Sequence, residues 1–183
     1  MCVIIVKPAG AEMPSRDILN AAFHANPNGC GFVSTRHAYK SLDYRKFIKA
    51  LSQVRRDEDC IIHFRLATHG SIKRANCHPF RCGDVWLAHN GILDIAPVGD
   101  MTDSETALRT VIAPAIDRYG LVSPLCDKAI NAIRGFSKFA IMQGETVRLY
   151  GAWVERHGLY FSNLRFLTYC GWQLAYRRVP RCG

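Results

Sequence analysis

Apolar residues come in short, separated groups along this chain, and their spacing predicts a mixture of strands and helices. Val3 to Val6 is an unbroken β-branched run, the pattern of a short strand buried on both faces. Ser15 suits the cap of a helix carrying Ile18, Leu19, Ala22 and Phe23, and Asn26-Pro27-Asn28-Gly29 stops it with strong turn chemistry. Cys30 to Ser34 reads as a second strand. Tyr44, Phe47, Ile48, Leu51 and Val54 recur at helical spacing, so residues 43–55 predict an amphipathic helix. A strand follows over Cys60 to Leu66, then a long polar loop to about Arg81. Another strand, Val85 to Ala88, runs into His89-Asn90-Gly91. Helices are expected over Asp103 to Tyr119, with Pro114 kinking or breaking it, and over Pro124 to Ile133. In the last third, Phe136 to Met142, Thr146 to Tyr150, Leu159 to Ser162 and Phe166 to Tyr169 predict short strands between Gly and Asn turns. Strands, then helices, then a run of antiparallel strands favour an α+β fold over a doubly wound parallel sheet.

Composition narrows the class. With 49% hydrophobic and 21% charged residues, the chain is globular rather than disordered. Its 183 residues predict a single domain over 1–183, able to bury roughly 70% of its unfolded surface without disulfide or metal. No apolar run approaches the roughly 20 residues of a membrane span. Lys7, Pro8 and Gly10 interrupt the opening run, so no secretory signal is expected and a cytoplasmic location is. The eight cysteines then read as thiols, most of them small apolar core residues.

The net charge of +9 is uneven. Residues 36–56 hold seven Lys or Arg against one acid, Asp43, and residues 165–183 hold four Arg and no acid. Such stripes fit nucleic acid or an acidic partner, but no nucleic-acid motif accompanies them and a solvated face with a soluble tail is the favoured reading. Phosphate-loop, dinucleotide and serine-elbow signatures are missing. Cys77, His78, Cys82, His63, His69 and His89 are metal-capable residues, but they lack the paired spacing of a zinc site. Neither a metal nor a cofactor is expected.

Four polar clusters follow or interrupt apolar stretches, where functional loops commonly sit: Arg65 to Gly70, Asn76 to Pro79, His89 to Gly91 and Thr102 to Glu105. Each has a bland explanation alone: a surface arginine, a hairpin turn at Asn90-Gly91, a helix cap at Asp103. Taken in order, with Cys2 and Asn26 to Gly31, they resemble the class II glutamine amidotransferases, which are N-terminal-nucleophile hydrolases. The resemblance spans roughly residues 2–110.

That resemblance implies a four-layer α-β-β-α sandwich and a mechanism. Loss of Met1 would make Cys2 the N-terminus, with its thiol as nucleophile. Its own α-amine, of reference pKa about 7.7–8.0, would be the base. By residue matching, Asn90 and Gly91 supply the oxyanion donors, Arg65 grips the substrate carboxylate and Asp103 pairs with its ammonium. Thr68, His69 and Gly70 line the same loop, while Asn76 and His78 order it. Two departures stand out: Cys2-Val3 where the family often has Cys-Gly, and Leu66 where an aromatic often follows the arginine. No synthase segment follows the glutaminase unit, so ammonia is expected to pass to a separate synthetase-like partner. Two other readings remain open at this level. One is a stand-alone hydrolase of a γ-glutamyl or other small amide, and the other is a basic nucleic-acid-binding module with an inactive site.

Overall fold

The computed structural model describes residues 2–67 and 71–170. Among these described residues ten strands form two antiparallel sheets. Strands β1 (Val3–Lys7), β2 (Cys30–Ser34), β3 (Ala38–Ser41), β4 (Cys60–Phe64), β9 (Val154–Arg156) and β10 (Leu159–Phe161) make a six-stranded sheet in the order β3-β2-β4-β1-β10-β9. Strands β5 (Phe80–Cys82), β6 (Val85–Asn90), β7 (Lys138–Gln143) and β8 (Thr146–Tyr150) make a four-stranded sheet in chain order.

Side chains alternate along each strand, so every central strand feeds two apolar layers. On the six-stranded sheet Val3, Ile5, Phe32, Ile62 and Phe64 face outward against helices α1 (Arg16–Ala25) and α2 (Tyr44–Leu51). On the four-stranded sheet Leu87, Phe139 and Ile141 face helices α3 (Asp103–Ala107), α4 (Ala113–Tyr119) and α5 (Pro124–Arg134). Between the sheets Ile4, Val6, Val33 and Ile61 meet Ala88, Ala140 and Met142. The result is the α-β-β-α layering the sequence resemblance implied.

Several local features have evident causes. Ser15 caps α1, as its spacing predicted, by accepting from Ile18 N. Thr102 rather than Asp103 caps α3, so the Asp103 carboxylate is available for other contacts. The expected long helix from Asp103 does not stop at Pro114 but runs on to Tyr119. It widens into a π-helical turn over Leu108–Ile112 just before Pro114, which lacks the N–H of a regular helix. Lys7 ends β1 and is buried, its Nζ donating to the carbonyls of Pro8, Arg56 and Glu58. Arg148 and Tyr150 on β8 both donate to the Asp127 carboxylate of α5, fixing that helix to the sheet.

One predicted strand is wrong. Residues Arg165–Cys170 form a 3₁₀ helix, not an extended segment over 166–169. Phe166 turns inward beside Phe161 and joins the outer core layer. Among the described residues no helix is long and apolar enough to cross a membrane. Cys2, Cys30, Cys60, Cys77, Cys82 and Cys126 are free thiols.

Candidate active site

The seam between the sheets opens at one end, and the two-residue periodicity decides which side chains reach it. Cys2 precedes Ile4 by two residues, Arg65 follows Ile61 and His63, and Asn90 follows Ala88. Lys138 precedes Ala140 and Ser162 follows Tyr160. Each is the next residue on the seam-facing side of its strand. Five chain segments far apart in sequence therefore deliver polar groups to one place.

A cavity of about 560 Å³ lies at that opening. Its lining includes Cys2, Arg65, Asn76, His78, Gly91 and Asp103. The cavity thus brings together residues from all four polar clusters with the cysteine. Asn90 is the exception. It is buried next to Gly91 rather than counted in the wall, and its Nδ2 donates to Ser162 Oγ at 2.8 Å. Thr68, His69 and Gly70 lie outside the described residues.

The Cys2 thiol is held against the first residues of the Arg65 loop. Leu66 N donates to Sγ at 3.3 Å, and Sγ lies 3.5 Å from Leu66 O. Burial pushes the thiol pKa up, while the Leu66 N–H and the Arg65 guanidinium pull against that shift. A resting thiol rather than a thiolate follows, so the group needs a base to become a nucleophile.

The loop itself is pinned by the turn read from Asn26 to Gly29. Asn28 N donates to Arg65 O at 3.0 Å, Arg65 N donates to Gly29 O at 2.8 Å, and Asn28 Oδ1 accepts from Ala67 N at 3.0 Å. Arg65 is buried, and its Nη1 donates to Ser71 O at 3.1 Å. Asn76 Nδ2 donates to the same carbonyl at 3.0 Å, so its part is to order the loop.

At the opposite wall Asp103 accepts from Leu93 N through Oδ2 and from Ser104 N through Oδ1. Ser104 Oγ also reaches Asp103 Oδ1, and lies 2.7 Å from His89 Nδ1. His78 is the middle of three buried histidines: its Nδ1 lies 3.0 Å from His63 Nε2, and the His78 and His89 rings are 6.3 Å apart. Burial is the first cause of a lowered pKa in all three, to about 3 for His63 and about 4 for His89. They are neutral at working pH and act as packed, hydrogen-bonding rings. Among the described residues no group of three or more His, Cys, Asp or Glu is arranged to hold a metal ion.

Two residues at this site escaped the reading from sequence. Ser162 is fully buried and accepts from both Ile4 N and Asn90 Nδ2. Asn163 Nδ2 donates to the Cys2 carbonyl at 2.9 Å. Neither carries a local signal, because a Ser-Asn pair after an apolar strand looks like any strand exit.

Comparison with known sequences settles the family. Residues 22–149 match the profile of the class II glutamine amidotransferases. The chain belongs to that family. A curated relative of this amidotransferase sequence is the glutamine–fructose-6-phosphate aminotransferase (isomerizing) of Caulobacter vibrioides. It is 37% identical over 123 residues, covering 57% of this chain and 20% of the relative. Among solved structures, the glutamine phosphoribosylpyrophosphate amidotransferase of B. subtilis, complexed with ADP and GMP, superposes with a TM-score of 0.57. It shares 23% identity and the match covers 88% of this chain and 41% of the other, which establishes the common N-terminal-nucleophile fold. This amidotransferase sequence thus spans a fifth of that curated relative. Cys2 precedes the matched span and Ser162 follows it.

Proposed function

We propose that the chain hydrolyses the side-chain amide of glutamine through Cys2, once Met1 is removed. The observation that carries this is the convergence of Cys2, Arg65, Gly91 and Asp103 on one cavity of about 560 Å³. The Cys2 α-amine takes the thiol proton, and Sγ bonds to the amide carbon. The resulting oxyanion is met by the Asn90 side-chain amide and the Gly91 N–H, each donor worth about 2.7–4 kcal/mol of barrier. The C–N bond then breaks as the ammonium of Cys2 returns its proton to nitrogen, and ammonia leaves. Water, deprotonated by the same amine, attacks the γ-glutamyl thioester and releases glutamate and the thiol.

Arg65 binds the substrate carboxylate through its planar fork, a geometry lysine lacks. Asp103 binds the ammonium, with Thr68, His69 and Gly70 completing the loop. The chain acts as one glutaminase unit in the cytoplasm, and ammonia passes to a synthetase-like partner on another chain.

The test joins intact mass, labelling and assay. Intact mass should show the mature protein beginning at Cys2. A diazoketone analogue of glutamine should label Cys2, and Cys2→Ala should reduce glutaminase activity to background. Retention of Met1, absence of label and full activity of Cys2→Ala would overturn the proposal. A substrate panel in which larger γ-glutamyl amides outrun glutamine would reassign the substrate but keep the chemistry.

A further inference from the structure

The C-terminal strand exit Ser162-Asn163 touches both halves of the proposed catalytic machinery. Ser162 Oγ accepts from Ile4 N at 2.9 Å and from Asn90 Nδ2 at 2.8 Å, with Asn163 Nδ2 a longer third donor at 3.5 Å. Ser162 N donates to Ile4 O at 2.9 Å. The hydroxyl is thus fixed to β1 through the backbone of Ile4, two residues from Cys2. The next residue, Asn163, donates from Nδ2 to Cys2 O at 2.9 Å. Its Oδ1 accepts from Arg165 N, so the amide orientation is set from both ends. On the far side Lys138 Nζ donates to Ser162 O. Lys138 pairs with Asn90 across β6 and β7, so the serine is bound to the four-stranded sheet through its carbonyl as well as its hydroxyl.

We infer that Ser162 and Asn163 are positioning residues that hold the Asn90 amide and the Cys2 main chain in a fixed mutual geometry across the two sheets. The inference rests on the glutaminase reading above. An amide nitrogen carries two hydrogens. Ser162 takes one from Asn90, which removes rotation about the side chain and leaves the second hydrogen in a set direction for the oxyanion. Asn163, by fixing the Cys2 carbonyl, restrains rotation about the Cα–C bond and so sets the direction in which the Cys2 amine and side chain leave the main chain. Pre-arranged donors cost no reorganisation when charge develops, and a displacement of about 1 Å is enough to lower the rate on the order of 100-fold.

The two-sheet arrangement gives this pair a particular task. Cys2 immediately precedes β1 of the six-stranded sheet, and Asn90 ends β6 of the four-stranded sheet. Much of the seam is apolar, and apolar contacts are non-directional. Ser162 supplies a directional bond from one sheet to the other at the point where the chemistry would occur.

The experiment is a double-mutant cycle of Ser162→Ala with Asn90→Ala, read as glutaminase kcat and KM, with Asn163→Leu assayed in parallel. Ser162→Ala should lower kcat by about tenfold or more while KM for glutamine stays within about twofold, because the change acts on the oxyanion and not on Arg65 or Asp103. In the Asn90→Ala background the same change should add less than about twofold. Asn163→Leu should lower kcat and shift the acidic limb of the kcat/KM profile, since that limb reports the Cys2 amine. Should Ser162→Ala fail to fold, the Asn163→Leu profile and thermal melt carry the test alone. A kcat loss in Ser162→Ala that is additive with Asn90→Ala, or an unshifted Asn163→Leu profile with normal kcat, would overturn the inference. Failure of the glutaminase reading looks different: Asn90→Ala and Cys2→Ala would themselves leave activity intact.

Discussion

A methyl group built at Gly91 would stand 2.2 Å from Ser137 Oγ, 2.7 Å from Ser137 Cβ and 2.8 Å from Ser137 Cα. The backbone there has φ +151°, a conformation that side chains rarely adopt. Ser137 cannot yield easily, since its hydroxyl donates to Ile92 O at 3.0 Å and its carbonyl accepts from Arg134. Gly91→Ala should therefore cost about 1–3 kcal/mol of stability and, by displacing the proposed oxyanion donor, lower kcat by about 100-fold or more. Thermal melts and steady-state assays check the two effects. Adding Ser137→Ala should not restore the melt, because the Cβ and Cα clashes persist without the hydroxyl; a full rescue would refute this account. Gly91 was legible in the sequence because glycine beside Asn90 marks a turn or a close approach. Ser162 and Asn163 were not, since their partners Ile4 and Cys2 lie 158 and 161 positions away.

Among elements, legibility tracked burial. The central strands β1, β2, β4 and β6 and the helices α1 and α2 follow directly from apolar runs and periodicity. The strands that were missed, β3, β5 and β9, are all edge strands. An edge strand buries less, tolerates polar residues such as those of Ala38–Ser41, and so loses the apolar signal. The 3₁₀ helix at Arg165–Cys170 was misread for the opposite reason. A short apolar run is compatible with strand or helix, and only its packing on Phe161 decides. The turn of residues 26–29 was legible as a turn but not as a clamp on the Arg65 loop. Its clamping role predicts that Asn28→Ala frees the Ala67 amide. Hydrogen exchange at Ala67 should accelerate, and KM for glutamine should rise several-fold, on the scale of a lost hydrogen bond of about 1 kcal/mol. Unchanged protection at Ala67 would show that the loop is held elsewhere.

For the whole molecule, the packing around the site also creates a pH liability. His63 is buried on the seam-facing side of β4 with His78 against it, His89 is buried on the helix-facing side of β6 beside Phe139 and Ser104, and burial is the leading cause of the lowered pKa of all three. Arg65 and Lys40 add to the effect on His63 and His78, whereas Asp103 opposes it at His89. The unfolded chain binds these protons near the ordinary histidine value of about 6.5, while the folded protein resists them until far lower pH. Protons therefore favour the unfolded state. The histidine contribution is fully present above about pH 6.5 and shrinks as pH falls toward about 4 for His89 and about 3 for His63. Each histidine should remove on the order of 1 kcal/mol per pH unit in that window. Glu58, whose pKa is lowered despite burial by its bond from Ser34 and those from backbone amides, also destabilises on acidification. It does so only below about its ordinary value, so the interval from pH 6.5 to 5 isolates the histidines. Urea midpoints between pH 7.5 and 5 should fall steeply with little change in slope m. His63→Gln, which keeps a neutral hydrogen-bonding side chain, should flatten the fall by about a third. A midpoint independent of pH across that interval would mean that the three rings accept protons without unfolding.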